Sequence, residues 1–129
     1  MLRALTIALL LGASAPALAT AAQSFAAGRF AEATRLGRKE NTEASLVIAA
    51  RAAATEAAWL MPEKLDAKVQ LDAALADLER VLEKNPANLD ARFQRGLVQG
   101  YIAKLMKSPG DAKKARKDFE AVLAQRPDD

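Results

Sequence analysis

Two segments of the chain carry nearly the same phrase. ALADLERVLEKNP ends at Pro86 and ARKDFEAVLAQRP ends at Pro127, 41 residues later. Ala74 and Ala115, Asp77 and Asp118, Leu78 and Phe119, Glu79 and Glu120, Val81 and Val122, and Leu82 and Leu123 occupy matching places. Each phrase reads as a helix with one apolar stripe, stopped by a proline that cannot continue it. A lone helix pair buries too little apolar surface to offset the entropy of ordering it. Stacked copies use each pair as the wall of the next, so recurrence is itself a stabilising device.

The rest of the chain has the same character. From Thr20 onward apolar and polar residues never alternate for long and β-branched residues are scarce, which argues against strands. QSFAAGRFAEATRLGRK predicts a short helix, a break at Gly28, and a helix through Phe30, Ala33 and Leu36. NTEASLVIAARAAATEAAWL predicts a long helix capped by Asn41 or Thr42, with Pro62 in the first turn of the next. That next helix carries Leu71, Ala74, Leu75, Leu78, Val81 and Leu82 on one stripe. A further helix, after Asn88, shows Leu89, Phe93, Leu97, Tyr101 and Leu105 at steps of four. KSPGD is the clearest turn. Beyond it Ala112, Ala115, Phe119, Val122 and Leu123 form the final stripe. Aromatic residues make up only 5% of the chain, so the core must be built from Leu, Val and Ala on closely approaching helices.

The N-terminus has a different character. MLRALTIALLLGASAPALA has a basic residue, Arg3, an apolar run from Ala4, and small residues ending in Ala17-Leu18-Ala19. This is the pattern of a bacterial-type secretory signal cleaved after Ala19. At about 1.5 Å per residue the run is short for a roughly 30 Å hydrocarbon core, and Pro16 interrupts it. Residues 1–19 are therefore read as a signal peptide, the mature chain as periplasmic or secreted, with no integral membrane span after cleavage. Residues 20–129 are read as one helical domain.

At these residues the chain resembles the tetratricopeptide repeat family. In that family the second helix of each unit carries Ala, then an aromatic or Leu four residues on, then Pro eight residues further. Ala74, Leu78 and Pro86 match it, as do Ala115, Phe119 and Pro127. FAAGRFAEA is similar to the family's inter-helix turn, with Gly28 at the turn and Ala33 in the small position. The expected fold is all-α, with antiparallel helix-turn-helix repeats stacked as a short α-solenoid. A degenerate first unit spans about 23–40, and repeats span about 42–86 and 88–127. The family's repeat is 34 residues, so each unit here has about seven extra residues, roughly two helical turns. Gly96 falls in the first-helix small position, with Arg95 where the family places Leu. A further unit or a capping helix is expected beyond Asp129.

The resemblance implies a non-enzymatic module that binds a protein or peptide along a groove formed by first helices. Arg92, Arg95 and Gln99 are the polar residues most free to meet such a partner, with Tyr101 bordering them. Two alternatives stay open. One is a structural subunit that self-associates through the C-terminal helix; the other is an accessory domain of a larger enzyme.

The residue inventory sets these expectations against chemistry. The chain has neither cysteine nor histidine, which excludes disulfides, thiol nucleophiles, thiolate or imidazole metal sites and the usual general base near neutral pH. No cofactor, metal or catalytic residue is expected. Net charge is +3, and +2 once Arg3 is removed, which is not a nucleic-acid signature. Lys104 to Lys117 is a basic stretch, read as a solvated turn and helix face with Lys113 and Lys114 paired to acids such as Asp118. Asp66, Asp72, Asp77, Glu79 and Glu83 are read as a solvated helix face. Gly96 and Gly100 are read as points of close helix packing, and Trp59 as a core plug at a helix junction.

Overall fold

In a computed structural model, residues 19–126 are described; the signal-peptide reading (apart from Ala19) and Pro127 lie outside them. The described residues form six helices: α1 (Ala21–Ala26), α2 (Phe30–Glu40), α3 (Glu43–Leu60), α4 (Lys64–Lys84), α5 (Leu89–Met106) and α6 (Pro109–Gln125). Each packs on its neighbour in sequence, as antiparallel helical hairpins do, and α3 also touches α1 and α5. No strand occurs among the described residues.

Local chemistry sets the helix ends. Thr20 opens α1 with a capping box: its hydroxyl accepts from the Gln23 amide at 3.1 Å while the Gln23 side chain accepts from the Thr20 amide at 2.9 Å. Gly28 turns the chain into α2 at φ +78°, a left-handed conformation that L side chains avoid. Thr42 caps α3 in a second box with Ser45, and Asn41 closes α2 in the left-handed conformation, so the two candidates for one cap serve two helices. Asn88 caps α5, Lys107 ends it at φ 52°, and Ser108 caps α6. The turn expected over KSPGD is thus narrower, because Pro109 is already the first residue of α6. Pro62 lies in the link before α4, whose cap is Glu63, and not within its first turn.

The core sits where α3 meets its neighbours. Its alanines 49, 50, 52, 53, 54 and 57 are all buried, pointing around most of the helix circumference. Side chains this short let α1, α2, α4 and α5 approach α3 together. Leu71, Leu78 and Val81 of α4 are fully enclosed against it, each contributing about 2 kcal/mol by leaving water. On α5 the buried line is Ala91, Val98 and Ile102. The expected steps-of-four stripe lies to one side: Leu89, Leu97, Tyr101 and Leu105 are half-buried and Phe93 is exposed. Four steps of four drift by about 40° each on a 3.6-residue helix, so such a stripe winds off any flat interface.

Trp59 does not plug the core. It is 73% exposed, and with Leu60 it overruns the last buried residue of α3, Ala57.

The loop between α4 and α5 is held to the start of α3 through one carboxylate. Asn85 and Asn88 both donate to Glu43 Oε1, at 3.0 and 2.8 Å. Two amide donors favour the ionised form, so the Asn85 bond first and the Asn88 bond second hold the Glu43 pKa below its ordinary 4.5. Because the folded value is the lower one, the stabilisation is present above the unfolded pKa and is lost as pH falls through the folded pKa. A carboxyl titration followed by NMR should place the Glu43 midpoint below 4.5, and the Asn85→Ala/Asn88→Ala variant should move it upward. An unmoved midpoint would refute the tether.

Candidate functional site

Asp118 lies between Ala115 and Val122 on the inner face of α6, and its side chain is 4% exposed. Burying a carboxylate is costly unless its lone pairs are matched. Here they are. Arg95 of α5 grips both oxygens, Nε to Oδ2 and Nη2 to Oδ1, each at 2.8 Å. Arg92 adds a second cationic group at 3.8 Å. The amide of Gln99, turned so that both ends are satisfied, donates to Asp118 Oδ2 at 3.0 Å and to the Lys114 carbonyl at 3.2 Å. The Asp118 hydrogen bonds pull the Arg95 pKa above its already high ordinary value, with Glu79 adding a smaller attraction.

Arg92, Arg95 and Gln99 lie together, and they are engaged by Asp118 rather than left free. They line an open groove of about 510 Å³ between α4, α5 and α6, with Glu79, Asp111 and Lys117 along its walls. Lys113 and Lys114 do not pair with Asp118, because the arginines already hold it.

A similar arrangement surrounds Asp77, which is buried like Asp118 and does not belong to a solvated face. Its partners are Arg38 of α2, Nε to Oδ2 at 2.8 Å, and Arg80 one turn on, at 3.2 Å. The position 41 residues after Arg38 is Glu79, which cannot neutralise Asp118; Arg95 does so from the neighbouring helix instead. Both aspartates were visible in the sequence as acids in the middle of apolar stripes, a signal for buried ion pairs that their surface reading missed.

Tyr101 lies elsewhere. It borders a separate cleft of about 400 Å³ between the end of α3, the start of α4 and the end of α5. Trp59 lines the same cleft.

The packing residues divide cleanly. Ala74 and Leu78 are fully buried and Ala115 nearly so. Gly96 lies against the Phe119 ring, where a Cβ would come within 2.6 Å of Cε1; Gly100 has open space around it and does not mark a close approach. Pro86 sits in the exposed turn after α4. The end of α6 is uncovered: the Phe93 and Phe119 rings meet tilted at 55° with centroids 5.7 Å apart, and Leu123 beside them is 49% exposed.

Among the described residues no cluster of acids could hold a metal ion and no helix is long and apolar enough to cross a membrane. Comparison with protein-family models, curated proteins and solved structures finds no match for this chain.

Proposed function

We propose that this protein is a tetratricopeptide-like interaction module, exported after cleavage at Ala19, that binds a protein or peptide and performs no covalent chemistry. The observation that carries the reading is an equivalence at a step of 41 residues. Ala33, Ala74 and Ala115 recur at that step and are all buried on α2, α4 and α6, and Asp77 and Asp118, three residues after the last two, are each 3% exposed. The odd-numbered helices meet along one side, α1 with α3 and α3 with α5. Stacks of this kind present extended surfaces on which partners are held by shape and side-chain complementarity. The Thr20 capping box, which opens α1 one residue after the proposed cleavage position, is compatible with export.

Panning a random peptide library on the protein tests the binding role. Recovery of peptides with a shared pattern, each binding saturably to the native but not the urea-unfolded protein, is the expected result. Failure to enrich any pattern overturns the reading.

The uncovered face at Phe93, Phe119 and Leu123 favours a second reading, an assembly subunit. The α4 counterparts of Phe119 and Leu123, which are Leu78 and Leu82, are buried. A mass that rises with concentration in light scattering, and that Leu123→Lys returns to the monomer value, would favour assembly; a constant monomer mass would remove it.

A further inference from the structure

We propose that the cleft between the end of α3, the start of α4 and the end of α5 is a docking site for an acidic peptide segment carrying an apolar anchor. This rests on the interaction-module reading and adds the place and the chemistry of the ligand.

The cleft has an apolar floor. Met61, Tyr101 and Leu105 are half-buried there, packed on the core beside Leu71. Trp59 forms a wall and is left 73% exposed to water. A large exposed indole next to a Tyr is the composition of an interface anchor, because both rings bury much area with few rotors to immobilise. Overrun of α3 past Ala57 explains how Trp59 comes to be there but offers it no cover from this chain's described residues.

The charges around the floor have one sign. Lys64, Lys104 and Lys107 line the cleft and no carboxylate does. None of the three makes an ion pair among the described residues, whereas Lys68 is paired to Asp72 and Arg38, Arg92 and Arg95 are all committed to aspartates. The groove beside α6 shows the contrast, since Glu79, Asp111 and Asp118 line it together with its cations and Asp118 pairs with both of its arginines. Three unanswered ammonium groups around an apolar floor are complementary to carboxylates flanking an apolar side chain. The floor is recessed between three helices. A protruding side chain reaches it, while a flat bilayer surface does not, which favours a peptide over an anionic membrane.

Trp59 is the only tryptophan, so its emission reports on the cleft directly. The probe is acetyl-Glu-Asp-Phe-Leu-Asp-Glu-amide. It should give a saturable blue shift that weakens with added salt. The same peptide with Lys for each acid, or with Ser for Phe and Leu, should not. Lys64→Gln/Lys104→Gln/Lys107→Gln removes only exposed charges and should weaken binding about tenfold with an unchanged circular dichroism spectrum. Absence of a saturable shift, an equal shift with the basic peptide, or a shift produced by phosphatidylglycerol vesicles alone overturns the proposal. Panning the peptide library on the triple-lysine variant separates the two levels of inference. If the variant retains the peptides selected by the native protein, the cleft is not the site while the module reading stands. If the native protein selects nothing, both fall.

Discussion

Gly37→Ala should destabilise the protein by about 2–3 kcal/mol, a loss from overpacking that exceeds the gain in helix propensity of up to about 1 kcal/mol. A methyl group at Gly37 would press into the Ser45 carbonyl oxygen and come within 2.7 Å of Ala49 Cβ. Both belong to α3, and the carbonyl is backbone, so relief requires the two helices to separate. Separation would also stretch the buried bond from Ser45 Oγ to the Gly37 carbonyl, now 2.9 Å. Gly96→Ala meets only the ring of half-buried Phe119, at 2.6 Å, and a side-chain ring can turn aside where a backbone carbonyl cannot. Its cost should stay within about 1 kcal/mol. Urea unfolding of the two variants checks the order. A Gly37→Ala protein as stable as the native one would refute the close approach of α2 and α3.

Asp118→Ala should cost about 2–3 kcal/mol. Removing one partner of a buried pair leaves the other charge uncompensated, and Arg95, Arg92 and Gln99 would all lose their common acceptor. The figure is taken below the full range for buried pairs because the arginines keep part of their surface in water. Asp77→Ala should cost less, about 1–2 kcal/mol, since Arg38 and Arg80 are more exposed and can turn to solvent. Combining Asp118→Leu with Arg95→Met should recover most of the loss, because an apolar pair of similar volume needs no desolvated charge. A double-mutant cycle by urea denaturation measures this. If the double variant is no more stable than Asp118→Ala, the pairing does not account for the cost.

Much of the fold was legible because its punctuation is local. Caps at Thr42 and Asn88, the turn at Gly28 and the stops near Asn41 and Asn85 are written in residues that act within a few positions of themselves. The small positions Ala74 and Ala115 were readable for a different reason, because they recur in the same phrase. Two features resisted. An alanine-rich helix such as α3 is apolar almost all the way round, so its pattern gives no outer face and could not say that Trp59 points away from the core. The ion pairs join residues 23 and 39 positions apart, and no local period encodes which arginine reaches which aspartate. The candidate site was legible only in part. Arg92, Arg95 and Gln99 do share one groove, yet the carboxylate that occupies them sits on another helix.

The two aspartates differ in where their balancing charge originates. Asp118 is neutralised entirely from within the α5–α6 hairpin, so that hairpin is electrostatically self-sufficient and could be grafted to another scaffold without orphaning a buried charge. Asp77 depends on Arg38, which arrives from before the intervening α3. Truncating the chain up to Asn41 would therefore strip α4 of its main counter-ion, and the N-terminal half is bound to survive or fail as a whole.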